Sequence, residues 1–324
     1  MYNSEEILEK INQGLANLNL EGQPSGLYQP IRYVLDMGGK RLRPVLMMMA
    51  YNMYKDNVDA ILNTAIGLET YHNYTLLHDD VMDRADSRRG KPCVHKVWND
   101  NTAILSGDTM LVLAYQLIAR CDQKFLPEIL DLFTTTALEI DEGQQYDVDF
   151  ENRMDVTIPE YIEMIRLKTS VLLACAIKMG AIQAGASETD LQLLYRFGEK
   201  IGLAFQIQDD LLDVYGDFAT FGKKIGGDIL CNKKTYLLIT AFNKADDSQR
   251  RELESWIGTT DYKPEEKIEE VTRIYDEIGV KEIAQNLINE YFQEAKMQLS
   301  GLKLPEEKKL PLWQYALRLL GRQK

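Results

Sequence analysis

The sequence predicts an all-α protein, a single large bundle of ten or more helices, and three observations support this class. Apolar residues recur every three or four positions along nearly the whole chain, as amphipathic helices require. No stretch combines strand-like alternation with hairpin turns. Gly and Pro are few, 21 and 9 among 324 residues, and lie mostly between the helical stretches. Because no linker rich in Pro, Ser or Gly interrupts the pattern, residues 1–324 are expected to form one domain.

The first predicted helix carries apolar residues at spacings of three and four from Ile7 to Leu18. Ser4 is its expected N-cap, and the acidic residues Glu5 and Glu6 suit the positive end of a helix. The same periodicity predicts further helices over residues 28–54, 58–82, 101–121, 125–148, 159–184, 188–216, 233–244, 247–257, 264–277, 279–299 and 307–322.

Composition excludes several classes of function. The net charge of −13 argues against nucleic acid as a partner, since such a surface needs basic patches that neutralise phosphates. The four cysteines are far apart and form no C-x-x-C pair, which argues against a zinc site or disulfide framework and fits a reducing, cytoplasmic location. The N-terminus does not resemble a signal peptide, and no apolar run approaches the roughly 18 residues of a membrane span, so no integral membrane segment is expected.

Two aspartate motifs of identical spacing stand at the ends of apolar helical stretches. Asp79, Asp80 and Asp83 follow residues 65–77, and a second triplet follows residues 201–207, namely Asp209, Asp210 and Asp213. Clustered carboxylates repel one another unless a cation lies between them, and oxygen ligands suit Mg²⁺ when substrate phosphates complete its octahedron. A single motif could be a solvated acidic patch. Two copies favour a metal site of the kind built from facing acidic clusters in a helical bundle.

Basic residues accompany the acidic motifs. A Gly-Gly loop can expose Lys40 and Arg43 towards an anion, and Arg88 and Arg89 follow the first aspartate motif. Each cluster alone could be an ordinary surface patch. In an acidic chain, however, basic clusters beside carboxylate clusters indicate a diphosphate held by both metal and arginine. His72 lies seven residues before Asp79, on the same helix stripe, and is therefore a candidate to face the ligand.

At this point the sequence resembles the trans-isoprenyl diphosphate synthases, also called polyprenyl synthetases. The resemblance spans about residues 28–240. It is carried, in family order, by GGKRLRP (38–44), HNYTLLHDDVMDRADSRRGKP (72–92), GDTML (107–111), EGQQYDV (142–148), LKTSVLL (167–173), FQIQDDLLDVYGD (205–217) and GKKIGGDILCNKKTY (222–236). It implies a fold of the isoprenoid synthase type, with the helices around a central cavity, and a homodimer.

The resemblance also implies a role for each matching residue. About three Mg²⁺ ions would bridge the allylic diphosphate to Asp79, Asp83 and Asp209, and Asp80, Asp210 and Asp213 would complete the acidic clusters. Lysines and arginines would hold the two substrates. The allylic diphosphate would contact Arg88, Lys168, Lys223 and Lys233, and isopentenyl diphosphate would contact Lys40, Arg43, His72 and Arg89. Thr169 and Gln206 would line the reacting region, with Gln144 and Asp147 as a polar pair near the same pocket. Either Lys223 or Lys224 could make the contact, and the distance from Asp213 favours Lys223.

The implied reaction is Mg²⁺-assisted ionisation of a C5–C15 allylic diphosphate, followed by alkylation of isopentenyl diphosphate. Tyr74 and Thr75 lie five and four residues before Asp79, about 6–7.5 Å deeper along the helix, where they could stop the growing chain. This arrangement resembles that of short-chain synthases and predicts C15–C20 products. The alternatives are a synthase for C30 or longer products, a terpene cyclase or head-to-head synthase, a non-catalytic partner subunit, and a helical scaffold.

Overall fold

A computed structural model describes residues 1–216 and 225–320. This part of the chain is almost entirely helical and contains more than ten helices, so the predicted fold class is confirmed. In chain order the helices are α1 (Ser4–Ala16), α2 (Ser25–Leu35), α3 (Leu42–Asn52), α4 (Leu62–Met82), α5 (Val94–Val97), α6 (Asp100–Ile118), α7 (Leu126–Glu151), α8 (Ile158–Ile165), α9 (Val171–Ala184), α10 (Glu188–Tyr215), α11 (Gly227–Leu230), α12 (Tyr236–Lys244), α13 (Asp247–Gly258), α14 (Pro264–Ile278), α15 (Val280–Ser300) and α16 (Glu306–Leu320). A 3₁₀ turn (Val58–Ile61) precedes α4, and a π-helical turn (Arg166–Ser170) joins α8 to α9.

The predicted helix over 28–54 is wrong at its centre, because α2 ends at Leu35 and α3 begins at Leu42. Gly38 and Gly39 have φ angles of +78° and +134°, which side-chain-bearing residues rarely adopt. Arg41 also lies in the left-handed region, with φ +49°. The backbone therefore leaves the helix at the basic loop.

Two smaller features also differ from the prediction. A hairpin pairs β1 (Ser87–Arg88) with β2 (Lys91–Pro92) through Arg89 and Gly90, whose φ angles are both positive, as in a type I′ turn. Two-residue strands are too short to give an alternation signal. At the N-terminus the cap of α1 is Asn3, not Ser4, because the Asn3 side chain accepts from the Glu6 amide while the Glu6 side chain accepts from the Asn3 amide.

The described chain divides into two compact units. The first comprises residues 1–134, 175–192 and 303–312, and the second comprises 135–174, 193–302 and 313–320. In the first unit α4 packs along α6. The two helices lie close together at Gly67, where a Cβ atom would lie 2.9 Å from Ile118 Cγ1 and 3.0 Å from the Ala114 carbonyl oxygen. In the second unit α12 packs against α8, α14 and α15. The single domain and the central cavity stay predictions.

No helix in the described part of the chain is both long and apolar enough to cross a membrane.

Candidate active site

The first aspartate motif occupies the end of α4, with Asp79 and Asp80 in the last turn and Asp83 as the C-cap. The C-terminal end of a helix carries partial negative charge, so carboxylates there are unfavourable unless a cation compensates them. For Asp80 the cation is Arg88, whose Nε and Nη2 atoms lie 2.8 Å and 2.7 Å from Asp80 Oδ1. Asp80 is only 5% exposed, whereas Asp79 is half-buried and Asp83 is exposed. Asp79 and Asp83 are therefore the more accessible members of the motif.

The Asp80 carboxylate also affects a neighbouring thiol. Burial and the nearby Asp80 charge raise the pKa of Cys93 to about 12, so the thiol stays protonated. Asp80 thus ties the end of α4 to the hairpin through Arg88 and to the following segment through Cys93. It serves as an anchor between chain segments, which the sequence pattern alone did not distinguish from a metal ligand.

In the first unit α3 and α4 bring Arg43 and His72 together, with Arg43 Nη1 lying 2.9 Å from His72 Nε2. A guanidinium group can only donate, so His72 Nε2 is the acceptor. Burial, followed by the charge of Arg43, lowers the pKa of His72 well below its usual value and keeps the ring neutral. Burial also lowers the pKa of Arg43, to about 10, against the favourable charge of Glu69.

Arg89 extends from the hairpin to the Gly-Gly loop. Its Nη1 atom donates to the Gly38 carbonyl oxygen and lies 3.4 Å from Asn73 Oδ1. A Cβ atom on Gly39 would lie 2.8 Å from Arg89 Cζ, so the loop needs glycine here for the guanidinium to approach. Lys40 is exposed beside these residues.

A buried ion pair that the sequence analysis missed supports this loop. Arg41 Nη1 lies 2.8 Å from Glu69 Oε1, and the two residues are 4% and 1% exposed. Arg41 also donates to the Leu35 carbonyl oxygen at 2.7 Å, which connects the end of α2 to the start of α3. Asn73 Nδ2 donates to the same Glu69 oxygen at 3.0 Å. The sequence signal for this ion pair was Glu69, an acidic residue within the apolar stretch of α4.

Arg43 and Arg89 differ from the other two arginines of this region in how their charge is compensated. Among the residues that the structure describes, neither has a carboxylate within ion-pair distance, whereas Arg41 and Arg88 both do. Within the described residues a half-buried arginine, Arg43, and an exposed one, Arg89, therefore have no ion-paired carboxylate. Such an arrangement favours an anionic ligand with several oxygen atoms.

Tyr74 and Thr75 lie on α4 before the aspartates, and both are half-buried. The Tyr74 ring packs against the rings of Tyr71 and His78, with centroids 5.6 Å and 4.8 Å away. Thr75 Oγ1 donates to the His72 carbonyl oxygen at 2.9 Å. Aromatic contacts therefore hold Tyr74 along α4, and its predicted role in chain length stays a prediction.

In the second unit Asp147 of α7 meets two of the predicted lysines. Lys168 Nζ lies 2.6 Å from Asp147 Oδ2, and Lys233 Nζ lies 3.7 Å from the same oxygen. Burial alone would raise the pKa of Asp147, but the charges of Lys233 and Lys168 outweigh it and lower the pKa. Gln144 is half-buried one turn earlier on α7. Lys223 lies outside the described residues.

The π-helical turn explains how Lys168 and Thr169 are presented. Residues 159–184 were predicted as one helix, but the turn at Arg166–Ser170 interrupts it without a Gly or Pro signal. Gly143 of α7 faces this turn so closely that a Cβ atom there would lie 2.4 Å from the Lys168 amide nitrogen. Such turns occur frequently at functional sites.

The second aspartate motif lies near the end of α10, and its three members differ in environment. Asp209 is half-buried, whereas Asp210 and Asp213 are 4% and 7% exposed. Asp213 Oδ2 accepts from the Asp228 amide at 2.9 Å. Burial and the neighbouring Asp228 charge raise the pKa of Asp210 to about 7, against the opposing bonds from Tyr161 and Gln206.

The acidic residues fit a metal that is only partly ligated by protein. Within the described residues no three His, Cys, Asp or Glu side chains converge as a ready-made metal site. Mg²⁺ commonly keeps several waters and takes one or two carboxylates together with substrate phosphates. Asp79, Asp83 and Asp209 are exposed enough to serve in that way, and the predicted metal roles stay predictions.

Comparisons with known proteins agree with the motifs. The sequence model of the family described as Polyprenyl synthetase matches residues 24–277. The short chain isoprenyl diphosphate synthase of Methanocaldococcus jannaschii is 39% identical over 267 residues, which cover 82% of this chain and 81% of that protein. A geranylfarnesyl diphosphate synthase of Natronomonas pharaonis is also 39% identical, covering 78% of this chain and 81% of its own.

A solved structure supports the same conclusion. The crystal structure of a geranylgeranyl pyrophosphate synthase is 44% identical to this chain, has a TM-score of 0.94 and covers 99% of both chains. The resemblance predicted from the motifs is therefore confirmed, and this chain belongs to the polyprenyl synthetase family.

Proposed function

We propose that this chain condenses isopentenyl diphosphate with a C5–C15 allylic diphosphate and releases diphosphate and a C15–C20 prenyl diphosphate. The observation that carries the proposal is the pair Arg43 and Arg89, which has no carboxylate partner among the described residues and lies near the acidic end of α4. Relatives named as short chain isoprenyl, geranylgeranyl and geranylfarnesyl diphosphate synthases support the same type of condensation.

The reaction begins when the C1–O bond of the allylic diphosphate breaks and its electron pair leaves with the diphosphate. Asp79, Asp83 and Asp209 would hold about three Mg²⁺ ions, which would supply Lewis-acid stabilisation of that charge. Arg88 and Lys168 add fixed positive charge to the departing group. Lys233 and Lys223 are proposed to act in the same way.

The second step forms the carbon–carbon bond. The double bond of isopentenyl diphosphate attacks C1 of the allylic cation, and a proton then leaves the new cation for the released diphosphate. Arg43, Arg89 and Lys40 hold isopentenyl diphosphate, and neutral His72 orients the Arg43 fork through its acceptor nitrogen. The oxygen dipoles of Thr169 and Gln206 stabilise the cation.

The test is turnover of an allylic diphosphate by the purified chain in the presence and absence of isopentenyl diphosphate. Elongation is expected only when both substrates and Mg²⁺ are present. A cyclase would consume the allylic substrate alone, and a non-catalytic subunit would show no turnover without a partner. A helical scaffold would also show no Mg²⁺-dependent thermal stabilisation by a bisphosphonate, whereas a ligand at 100 times its Kd should add about 2.7 kcal/mol.

Product length is proposed to depend on Tyr74, with Thr75 beside it. The ring contacts that hold Tyr74 against Tyr71 and His78 favour this role, because a fixed ring blocks a growing chain better than a mobile one. Tyr74→Ala is expected to lengthen the products. Chromatography of radiolabelled products would contradict the assignment if wild type already exceeds C30 or if the variant's products are unchanged.

A homodimer is proposed as the working form. Leu105 and Val112 are seven residues apart on α6 and are 58% and 57% exposed, which is a large apolar area to leave in water. Light scattering should give twice the monomer mass for wild type and a monomer for the Leu105→Glu variant. A cytoplasmic location is also proposed, since all four cysteines are free.

A further inference from the structure

A chain of side-chain hydrogen bonds lies inside the second unit and begins at Tyr161, a residue without an assigned role. The Tyr161 hydroxyl donates to Asp210 Oδ2. Gln206 Nε2 donates to Asp210 Oδ1 at 3.2 Å, and Thr169 Oγ1 donates to Gln206 Oε1 at 3.2 Å. Tyr161 is 1% exposed on α8, and Asp210 is 4% exposed on α10. The chain therefore runs from a buried phenol to the residues proposed to stabilise the cation.

The donors around Asp210 set the direction of every hydrogen bond in this series. The Tyr236 backbone amide can only donate, and it lies 3.4 Å from Asp210 Oδ2, so this carboxylate is surrounded by donors. Because ionised Asp210 can only accept, Gln206 presents its NH₂ group to Asp210 and its carbonyl oxygen to Thr169. Because the Thr169 hydroxyl uses its proton on Gln206, its lone pairs remain available to other groups.

Donors engage both oxygens of Asp210. Oδ1 accepts from Gln206, and Oδ2 accepts from Tyr161 and lies within reach of the Tyr236 amide. In this arrangement the middle aspartate of the second motif orients an amide, whereas the less buried Asp209 remains the better placed metal ligand. The pattern of spacing along α10 could not separate these two tasks.

We propose that Tyr161 is a positioning residue for the condensation, an inference that rests on the proposed function. Without its hydroxyl, the Asp210 carboxylate keeps only the Tyr236 amide at Oδ2 and can rotate. If the rotating carboxylate moves out of reach of Gln206 Nε2, no acceptor holds the NH₂ group, and the amide can turn over, which would reverse the Thr169 bond and free the hydroxyl proton to point at the developing cation. A dipole that stabilised the cation would thereby become one that opposes it.

Tyr161→Phe tests this role, since it removes one oxygen and keeps the ring. We expect kcat to fall about 10- to 100-fold, in the range that misplacement of a reacting-site group produces. The KM for isopentenyl diphosphate and the Mg²⁺ concentration for half-activity should stay within about 2-fold of wild type. Neither the arginines proposed to hold isopentenyl diphosphate nor Asp209 takes part in these hydrogen bonds. Tyr54→Phe is the matched control. It removes a tyrosine–aspartate bond of 3.0 Å, to Asp190, in the first unit and should leave kcat unchanged.

A double-mutant cycle with Thr169→Val distinguishes positioning from general loss of structure. Valine keeps the shape of Thr169 and removes the hydroxyl through which the proposed effect acts. Tyr161→Phe should therefore reduce kcat much less in the Thr169→Val background than in wild type. Equal reductions in both backgrounds would overturn the proposal.

If Tyr161→Phe does not fold, the double variant Tyr161→Phe/Asp210→Leu removes the carboxylate that the phenol leaves behind. It should show low kcat with an unchanged Mg²⁺ requirement, and wild-type kcat or a large shift in that requirement would overturn the proposal. Absence of turnover by wild type would refute the proposed function and this inference with it. Wild-type turnover with equal kcat in Tyr161→Phe would refute only the role of Tyr161.

Discussion

Gly143→Ala should impair catalysis through a close contact between α7 and the π-helical turn. A Cβ atom at position 143 would lie 2.4 Å from the Lys168 amide nitrogen and 2.8 Å from Lys168 Cα. Both are backbone atoms, so no side-chain rotation relieves the clash. Reaching an ordinary contact of 3.4 Å requires α7 and the turn to separate by about 1 Å.

The expected loss of kcat follows from the residues that the π-helical turn carries. Lys168 and Thr169 lie on it, and a displacement of about 1 Å at reacting groups costs roughly 10²-fold in kcat. Overpacking costs about 1–3 kcal/mol of stability, and about 1 kcal/mol is recovered because alanine favours a helix interior more than glycine does. The net loss of stability is therefore expected to be about 0–2 kcal/mol, far too small to unfold the protein.

The assay combines steady-state kinetics with urea denaturation of the same preparations. Gly258→Ala is the control, because a Cβ atom at the end of α13 meets nothing within 4 Å. It should keep wild-type kcat and have equal or slightly higher stability. A Gly143→Ala protein with wild-type kcat would refute the argument that the π-helical turn positions the reacting groups.

Three further predictions concern stability. Arg41→Met should lower the free energy of unfolding by about 3–5 kcal/mol in urea denaturation, because it leaves the Glu69 charge buried and unpaired, whereas Lys10→Met breaks an exposed surface pair and should cost far less. A similar cost for both would contradict the difference in burial. His72→Gln should flatten the pH dependence of stability. The pKa of His72 is depressed from 6.5, so its contribution is full above that pH and is lost as the pH falls below it, by up to about 1.4 kcal/mol per pH unit. Asn3→Ala should lower stability by about 1 kcal/mol through loss of the α1 cap, and an unchanged urea midpoint would contradict the capping box.

The sequence by itself determined the helical class and both aspartate motifs. Helical periodicity depends on neighbours three and four residues apart, and this local information is fully present in the chain. The basic loop at Gly38–Arg43 was recognisable for the same reason, although its left-handed residues were not predicted to interrupt the helix.

Only the tertiary structure decided how the members of each motif differ. Spacing alone treats Asp79, Asp80 and Asp83 alike, yet Arg88 pairs with the buried Asp80, whereas Asp79 and Asp83 are more exposed. In the second motif Asp210 is surrounded by donors, one of them 49 residues away in Tyr161. The physical reason is that the environment of a carboxylate depends on burial and on partners brought from distant segments. Spacing can locate a set of ligands, but the packed structure determines which of them can face a metal and which hold their neighbours in place.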